Sequence, residues 1–204
     1  MSARTLLLLR HGRTAWNHEG RIQGQHDVGL DDEGRGQAAR TAPYVAALAP
    51  SLLWCSDLAR TRETAAALVE ATGLSPTYDP RLREFSFGER ETLSHTELGA
   101  AAPDELEALQ RGDFDAIPSA ERTAAVRDRM SAVLHDLLAA LAPGQTGVAV
   151  SHGAAIRVAV GAMLGWPDDL FHTLRGLDNC GMVLIEERPE VGALRLLAYN
   201  RVVG

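Results

Sequence analysis

Three short apolar runs that each end abruptly in a polar cluster narrow the fold more than any other feature of this chain. Thr5 to Leu9 leads into Arg10, His11 and Gly12; Leu52 to Cys55 into Ser56, Asp57 and, three residues on, Arg60; Gly147 to Val150 into Ser151, His152 and Gly153. Apolar runs of this length, separated by longer stretches with helical period, read as strands buried on both faces in an α/β sheet. Two further strands, Met182 to Glu186 and Leu194 to Tyr199, flank the turn-forming residues 187–193 and predict an antiparallel hairpin closing one edge of a mixed sheet. Helices are expected from Asp32 to Leu48, from Leu58 to Thr72 and from Arg122 to Leu141, with Val126, Met130, Val133, Leu137 and Leu141 on one face of the last. Pro43 is expected to kink or shorten the first. No Gly/Ser linker, repeat or low-complexity stretch divides the 204 residues, so residues 1–204 are read as a single domain.

In an open parallel sheet the carboxyl ends of the strands share one edge, where ligands bind. Two histidines and two arginines, His11, His152, Arg10 and Arg60, then converge there. Composition says what they cannot serve. All 20 basic residues are Arg and none is Lys, which removes a Walker A lysine, a Schiff-base lysine and a pyridoxal-phosphate anchor. A formal charge of -7 would repel a polyanion, which argues against nucleic acid as a partner, while a small anion needs only a local positive pocket. Cys55 and Cys180 form no CxxC and signal neither a disulfide framework nor a zinc site. The run Leu6 to Leu9 is too short for a signal-peptide core or a membrane span, so a cytoplasmic protein with no membrane partner is expected.

Arginine forks match phosphate oxygens bidentately and stay charged at any working pH, so the four residues point to a phosphate. His11 is the candidate nucleophile, kept unprotonated by repulsion from Arg10 and Arg60, and Glu84 is the candidate acid for the leaving oxygen. Glu84 competes with Glu89 and Glu91 and is preferred only for its Leu82-Arg83-Glu84 context. Arg62 reads as a surface residue. Ser151 lacks the elbow of a serine hydrolase, and His18, Glu19 and His26 lack the spacing of a zinc site. Asn179 fits an Asx turn as well as a pocket wall and is not counted in the site.

Five stretches, RHGRTAWN, RIQGQHDVGL, SDLARTRETA, LREFSFGE and VSHGAAIR, taken in order from Leu6 to about Arg157, resemble the histidine phosphatase superfamily in its phosphoglycerate-mutase-like branch. The resemblance implies a three-layer αβα sandwich around a mostly parallel mixed sheet with an antiparallel edge. It makes His11 the phosphorylated nucleophile, places Arg10, Arg60, His152 and Asn17 around the phosphate, and matches Glu84 to the proton donor. It sets Gln23 and Gly24 on the substrate side, adds a hydroxyl contact from Thr14 and a backbone N–H from Gly153, and implies no metal or organic cofactor. A homodimer is expected for folds of this kind, with no interface located.

Residues 90–122 form a compact lid-like insertion, shorter than the one that covers the site of the glycolytic mutases. Hydrolysis of a small phosphomonoester is therefore the leading expectation. The alternatives are a phosphoglycerate mutase and a non-catalytic phosphoryl-binding scaffold. IPSAER stands where the family usually has a PGGES-type motif, so the substrate contacts near Glu121 do not transfer directly. Few aromatics in the insertion region, Phe85, Phe87 and Phe114, favour a small polar ester, a phosphorylated metabolite, over a stacked base.

Overall fold

A computed structural model describes residues 2–167 and 170–203. In chain order the elements are β1 (Thr5–Arg10), α1 (Ala15–His18), α2 (Asp32–Ala47), β2 (Leu52–Cys55), α3 (Ala59–Thr72), β3 (Pro76–Tyr78), α4 (His95–Ala101), α5 (Pro103–Arg111), α6 (Thr123–Ala140), β4 (Thr146–Ser151), α7 (Gly153–Met163), β5 (Met182–Arg188) and β6 (Ala193–Arg201), with short 3-10 turns between several of them. Among the described residues the strands form one sheet in the order β3-β2-β4-β1-β5-β6. The pairs β1/β4, β2/β4 and β2/β3 are parallel, whereas β1/β5 and β5/β6 are antiparallel. The mixed sheet and its hairpin edge are as the sequence pattern predicts.

Alternation along the strands feeds two cores. Leu7, Leu9, Val148 and Val150 meet Ala38, Val45 and Leu68 of α2 and α3 on one face. Leu6, Leu8 and Ala149 meet Val126, Met130, Val133, Leu134, Ile156 and Val160 of α6 and α7 on the other. Period-2 side-chain direction thus commits one sheet to helices on both faces, which makes three layers.

The helix that Pro43 is expected to kink or shorten continues to Ala47. Ala39, whose carbonyl loses its intrahelical donor at Pro43, is exposed, as is Pro43, so water can take that carbonyl. Strand β3 has no counterpart in the sequence reading: three residues carry no period, and a Pro at the start of an edge strand is tolerated because its missing N–H needs no ladder partner. Helix α7 is apolar nearly all round because it is buried on most sides, which hides the amphipathic signal that marks α6.

Candidate active site

Arg10 ends β1 and His11 follows it, bonded into the sheet edge by its N–H to the Ser151 carbonyl (3.1 Å) while its own carbonyl accepts from Cys180 N (3.2 Å). Arg60 lies in the first turn of α3, after β2, and His152 links β4 to α7. All of them lie at the carboxyl edge of the parallel strands. The glycine of the Arg10-His11-Gly12 turn is required by packing, because a Cβ at Gly12 would collide with the Gly34 carbonyl at the start of α2. A Cβ at Gly153 would sit 3.3 Å from Arg10 Nε, so that glycine leaves room for the guanidinium.

The imidazole of His11 is buried, with Nδ1 2.7 Å from the Gly12 carbonyl oxygen. A carbonyl only accepts, so Nδ1 carries the hydrogen and Nε2 is left with a bare lone pair. Burial, then the positive charges of Arg60 and Arg10, hold this imidazole well below its ordinary pKa. His11 is therefore neutral and nucleophilic at neutral pH.

Behind it, His152 is fully buried, its ring centroid 5.3 Å from that of His11. Arg60 Nε donates to His152 Nδ1 (3.2 Å), which assigns the ring hydrogen to Nε2, 2.9 Å from Ser56 Oγ. Burial and Arg60 likewise push its pKa well down. Arg60 also donates to the carbonyls of His26 (2.9 Å) and Gly24 (2.6 Å), and burial lowers its pKa to about 10, still cationic at neutral pH. Arg10 donates Nη1 to the Leu177 carbonyl, but its buried Nε has no hydrogen-bond partner. A buried charged donor without a partner faces the cavity as a site for an anion.

The cavity, about 380 Å³, is lined by Arg10, His11, Asn17, Gln23, Gly24, Arg60, Glu84 and Gly153 among others. Thr14 and His152, both expected at the phosphate, lie behind this wall. The Thr14 hydroxyl caps α1 by accepting from Asn17 N (3.1 Å) and donates to Gln23 Oε1 (3.1 Å), so it holds two wall residues in place. Glu84 Oε1 accepts from Ala155 N (2.8 Å) and Phe85 N (3.1 Å), and Oε2 from Ala154 N (3.1 Å), which seats the carboxylate on the first turn of α7. Glu89 is exposed, and Glu91 is turned to Gln25 N (3.1 Å), Ser86 Oγ (3.2 Å) and Phe87 N (3.0 Å). Of the three carboxylates only Glu84 faces the cavity. Arg62 is exposed over the Tyr78 ring. Among the described residues no three or more His, Cys, Asp or Glu side chains are grouped so as to hold a metal ion.

Three residues outside the predicted site support it. Asn179 Nδ2 donates to Asn17 Oδ1 (3.1 Å) and to the His11 carbonyl (3.2 Å). Arg129 donates to the carbonyls of Arg81 (2.9 Å), Arg83 (2.6 Å) and Glu84 (3.0 Å) and pairs with Glu121 (2.9 Å), so both clamp the loop that carries Glu84. Glu121 is thereby a loop residue of this clamp. Single polar residues of this kind carry no periodic signal.

A neutral histidine with a free Nε2, two guanidiniums and a carboxylate thus line one cavity on an αβα fold. Residues 6–200 match the family described as histidine phosphatase superfamily (branch 1). The chain is 36% identical over 189 residues to the glucosyl-3-phosphoglycerate phosphatase of Mycolicibacterium vanbaalenii, covering 90% of this chain and 84% of that one. It is 36% identical over 182 residues to the probable phosphoglycerate mutase GpmB of Erwinia tasmaniensis, covering 89% and 84%. Among solved structures, a mycobacterial glucosyl-3-phosphoglycerate phosphatase in complex with VO3 superimposes with a TM-score of 0.89 at 33% identity, covering 97% of this chain and 98% of that one. The chain belongs to the histidine phosphatase superfamily, and its relatives make it an enzyme of phosphatase type. Among the described residues no helix is long and apolar enough to cross a membrane.

Proposed function

We propose that the protein hydrolyses a small phosphate monoester through a phosphohistidine on His11. The observation that carries this reading is the His11 imidazole itself, with Nδ1–H committed to the Gly12 carbonyl and Nε2 free, in a cavity that Arg10, with its unpartnered Nε, also lines. In the first step Nε2 attacks phosphorus, the N–P bond forms as the ester P–O bond breaks, and Glu84 gives its proton to the departing alkoxide. In the second, water attacks phosphorus, returns a proton to Glu84 and releases inorganic phosphate from the ring. Arg10, Arg60 and the Asn17 amide bind the phosphoryl oxygens and stabilise charge through both steps. Gln23, Gly24 and the Gly153 N–H border the substrate, while Thr14 and His152 act by positioning Asn17, Gln23 and Arg60. On Glu84, Oε2 accepts from a single N–H and is the oxygen with room for the transferred proton.

Residues 90–122, with α4 and α5, form a lid short enough to let water reach the phosphohistidine, which supports hydrolysis over return of the phosphoryl group to a bound product. The same short lid supports reading the whole chain as one domain. The buried, unpaired thiols of Cys55 and Cys180 agree with a reducing cytoplasm.

The test is phosphate release from a panel of small phosphomonoesters, with 3-phosphoglycerate followed for both release and isomerisation. Release that falls about 10³-fold or more in His11→Ala is the expected result, and EDTA is expected to leave the rate unchanged. Isomerisation without release would make the protein a mutase. Binding of esters without either reaction would make it a scaffold.

A further inference from the structure

Two arginines of the cavity wall, Arg21 and Arg157, have no part in the phosphoryl site. Gly153, Ala154 and Arg157 line the cavity from one face of α7, so Arg157 reaches it one turn beyond the backbone N–H groups that hold Glu84. Among the described residues the Arg157 guanidinium makes no hydrogen bond and no ion pair, its Nε is buried without a partner, and its planar group lies 5.5 Å from the centre of the Phe171 ring. Arg21, also in the wall, differs in being paired with Glu19 (3.4 Å) and Glu97 (3.3 Å). Space for the Arg157 head is made by Gly112, at a φ of 78°, where a Cβ would collide with Nη2. The residue is half-buried and its guanidinium stays charged, so the buried Nε–H is a donor that an anion in the cavity would satisfy.

Its place in the cavity says which part of a ligand that anion belongs to. Arg157 lies on α7 within one turn of Ala154 and Ala155, whose N–H groups hold the Glu84 carboxylate. Glu84 is the group assigned to the leaving oxygen, so Arg157 stands on the alcohol side. Charge points the same way. When Glu84 carries the proton it must donate, Arg10, Arg60 and Arg157 face a phosphate dianion, and one positive charge remains unmatched.

We propose that Arg157 forms a second anion subsite in the same cavity and selects phosphate esters whose alcohol carries a carboxylate. This rests on the phosphomonoesterase reading for the direction in which the ester lies, and the test separates the two. Binding is measured to the His11→Ala protein, which cannot form phosphohistidine, using 3-phosphoglycerate and glycerol 3-phosphate, which differ in a carboxylate against a hydroxymethyl group. An Arg–carboxylate pair in such a cavity is expected to favour 3-phosphoglycerate by about tenfold or more. Adding Arg157→Met, of similar length without charge, is expected to bring the two ligands near parity, and Arg157→Lys to restore part of the preference. Turnover of the same two esters by the otherwise native protein should show the same change in the ratio of kcat/KM. Parity in the His11→Ala protein would overturn the subsite. So would an equal loss on both esters in Arg157→Met, the result expected if Arg157 serves only as a charge beside Glu84. If Arg157→Met does not fold, Arg157→Lys and the parent ratio still decide. A binding preference without turnover of any ester would leave the subsite standing and overturn the phosphatase reading instead.

Discussion

The floor and the roof of the cavity are built differently. The floor is made where strands and helices end: Arg10 and His11 after β1, Arg60 in the first turn of α3, His152 between β4 and α7, with His11, Arg60 and His152 nearly inaccessible to solvent. The roof is made of loops tied across long sequence distances. Gln25 Nε2 donates to the Glu84 carbonyl (3.1 Å), Glu91 reaches Gln25 N (3.1 Å), and Arg129 and Glu121 clamp residues 81–86. Secondary structure fixes the reacting groups with little freedom, while the loops can change without disturbing them. On the proposed mechanism the chemistry therefore rests mainly on the floor, and the ester is read by the roof together with Arg157 of α7.

Glu84 is where this division is most easily broken, because a loop residue is asked to do chemistry. Glu84→Gln is expected to slow release of poor alcohol leaving groups by about 10²-fold while affecting p-nitrophenyl phosphate far less, since p-nitrophenolate leaves without a proton. The ratio is the informative readout. Gln also places an N–H group against one of the N–H donors of Phe85, Ala154 or Ala155, which disturbs both reactions alike. Equal losses on the two substrates would remove Glu84 from proton transfer and confine the chemistry to the floor.

The same division explains what is legible in the sequence. Strands β1, β2 and β4 announce themselves as apolar runs, and the residues that follow them fall at the sheet edge by topology alone, which is why the sequence by itself locates Arg10, His11 and Arg60. His152 follows the same rule, yet its burial and its contacts with Arg60 and Ser56 are invisible in a three-residue motif. Family resemblance sets Thr14 against the phosphate, while the local Thr14-to-Asn17 spacing carries the signature of the capping box it forms. Arg129 has no such signal. It sits on a helix whose apolar face is evident from its period, and its task of holding three carbonyls arises only when that helix meets the 81–84 loop.

Burial of two histidines in the floor should also show in stability. Both folded-state pKa values lie well below the ordinary 6.5, so the unfolded chain binds more protons than the folded one once the pH falls below that value. Stability is fully present above pH 6.5 and is lost as the pH falls toward the folded-state values. Between pH 6.5 and 5.5 two such groups remove on the order of 2 kcal/mol, about 30-fold in the folding equilibrium. Denaturant unfolding across this range measures it, and His152→Asn should roughly halve the slope. A flat profile would mean that the two rings are not held neutral, and with it the bare Nε2 of His11 would lose its support.

The smallest expected effect concerns Asn179, which joins floor to roof. Asn17 Oδ1 accepts from Thr14 N (3.1 Å) and from Asn179 Nδ2 (3.1 Å). With its oxygen so occupied, the Asn17 amide can only turn its NH₂ group toward the cavity, where a phosphate would accept from it. Asn179→Ala removes one of these two restraints and should raise KM and the inhibition constant of inorganic phosphate by about fivefold, with kcat less affected, because a misdirected amide binds substrate and transition state alike more weakly. Asn179→Asp should do more harm than Ala, since it sets a carboxylate against Asn17 Oδ1 and near the carbonyl of His11. If both variants leave phosphate inhibition unchanged, Asn17 does not need its amide fixed, and the floor alone suffices to hold the phosphoryl group.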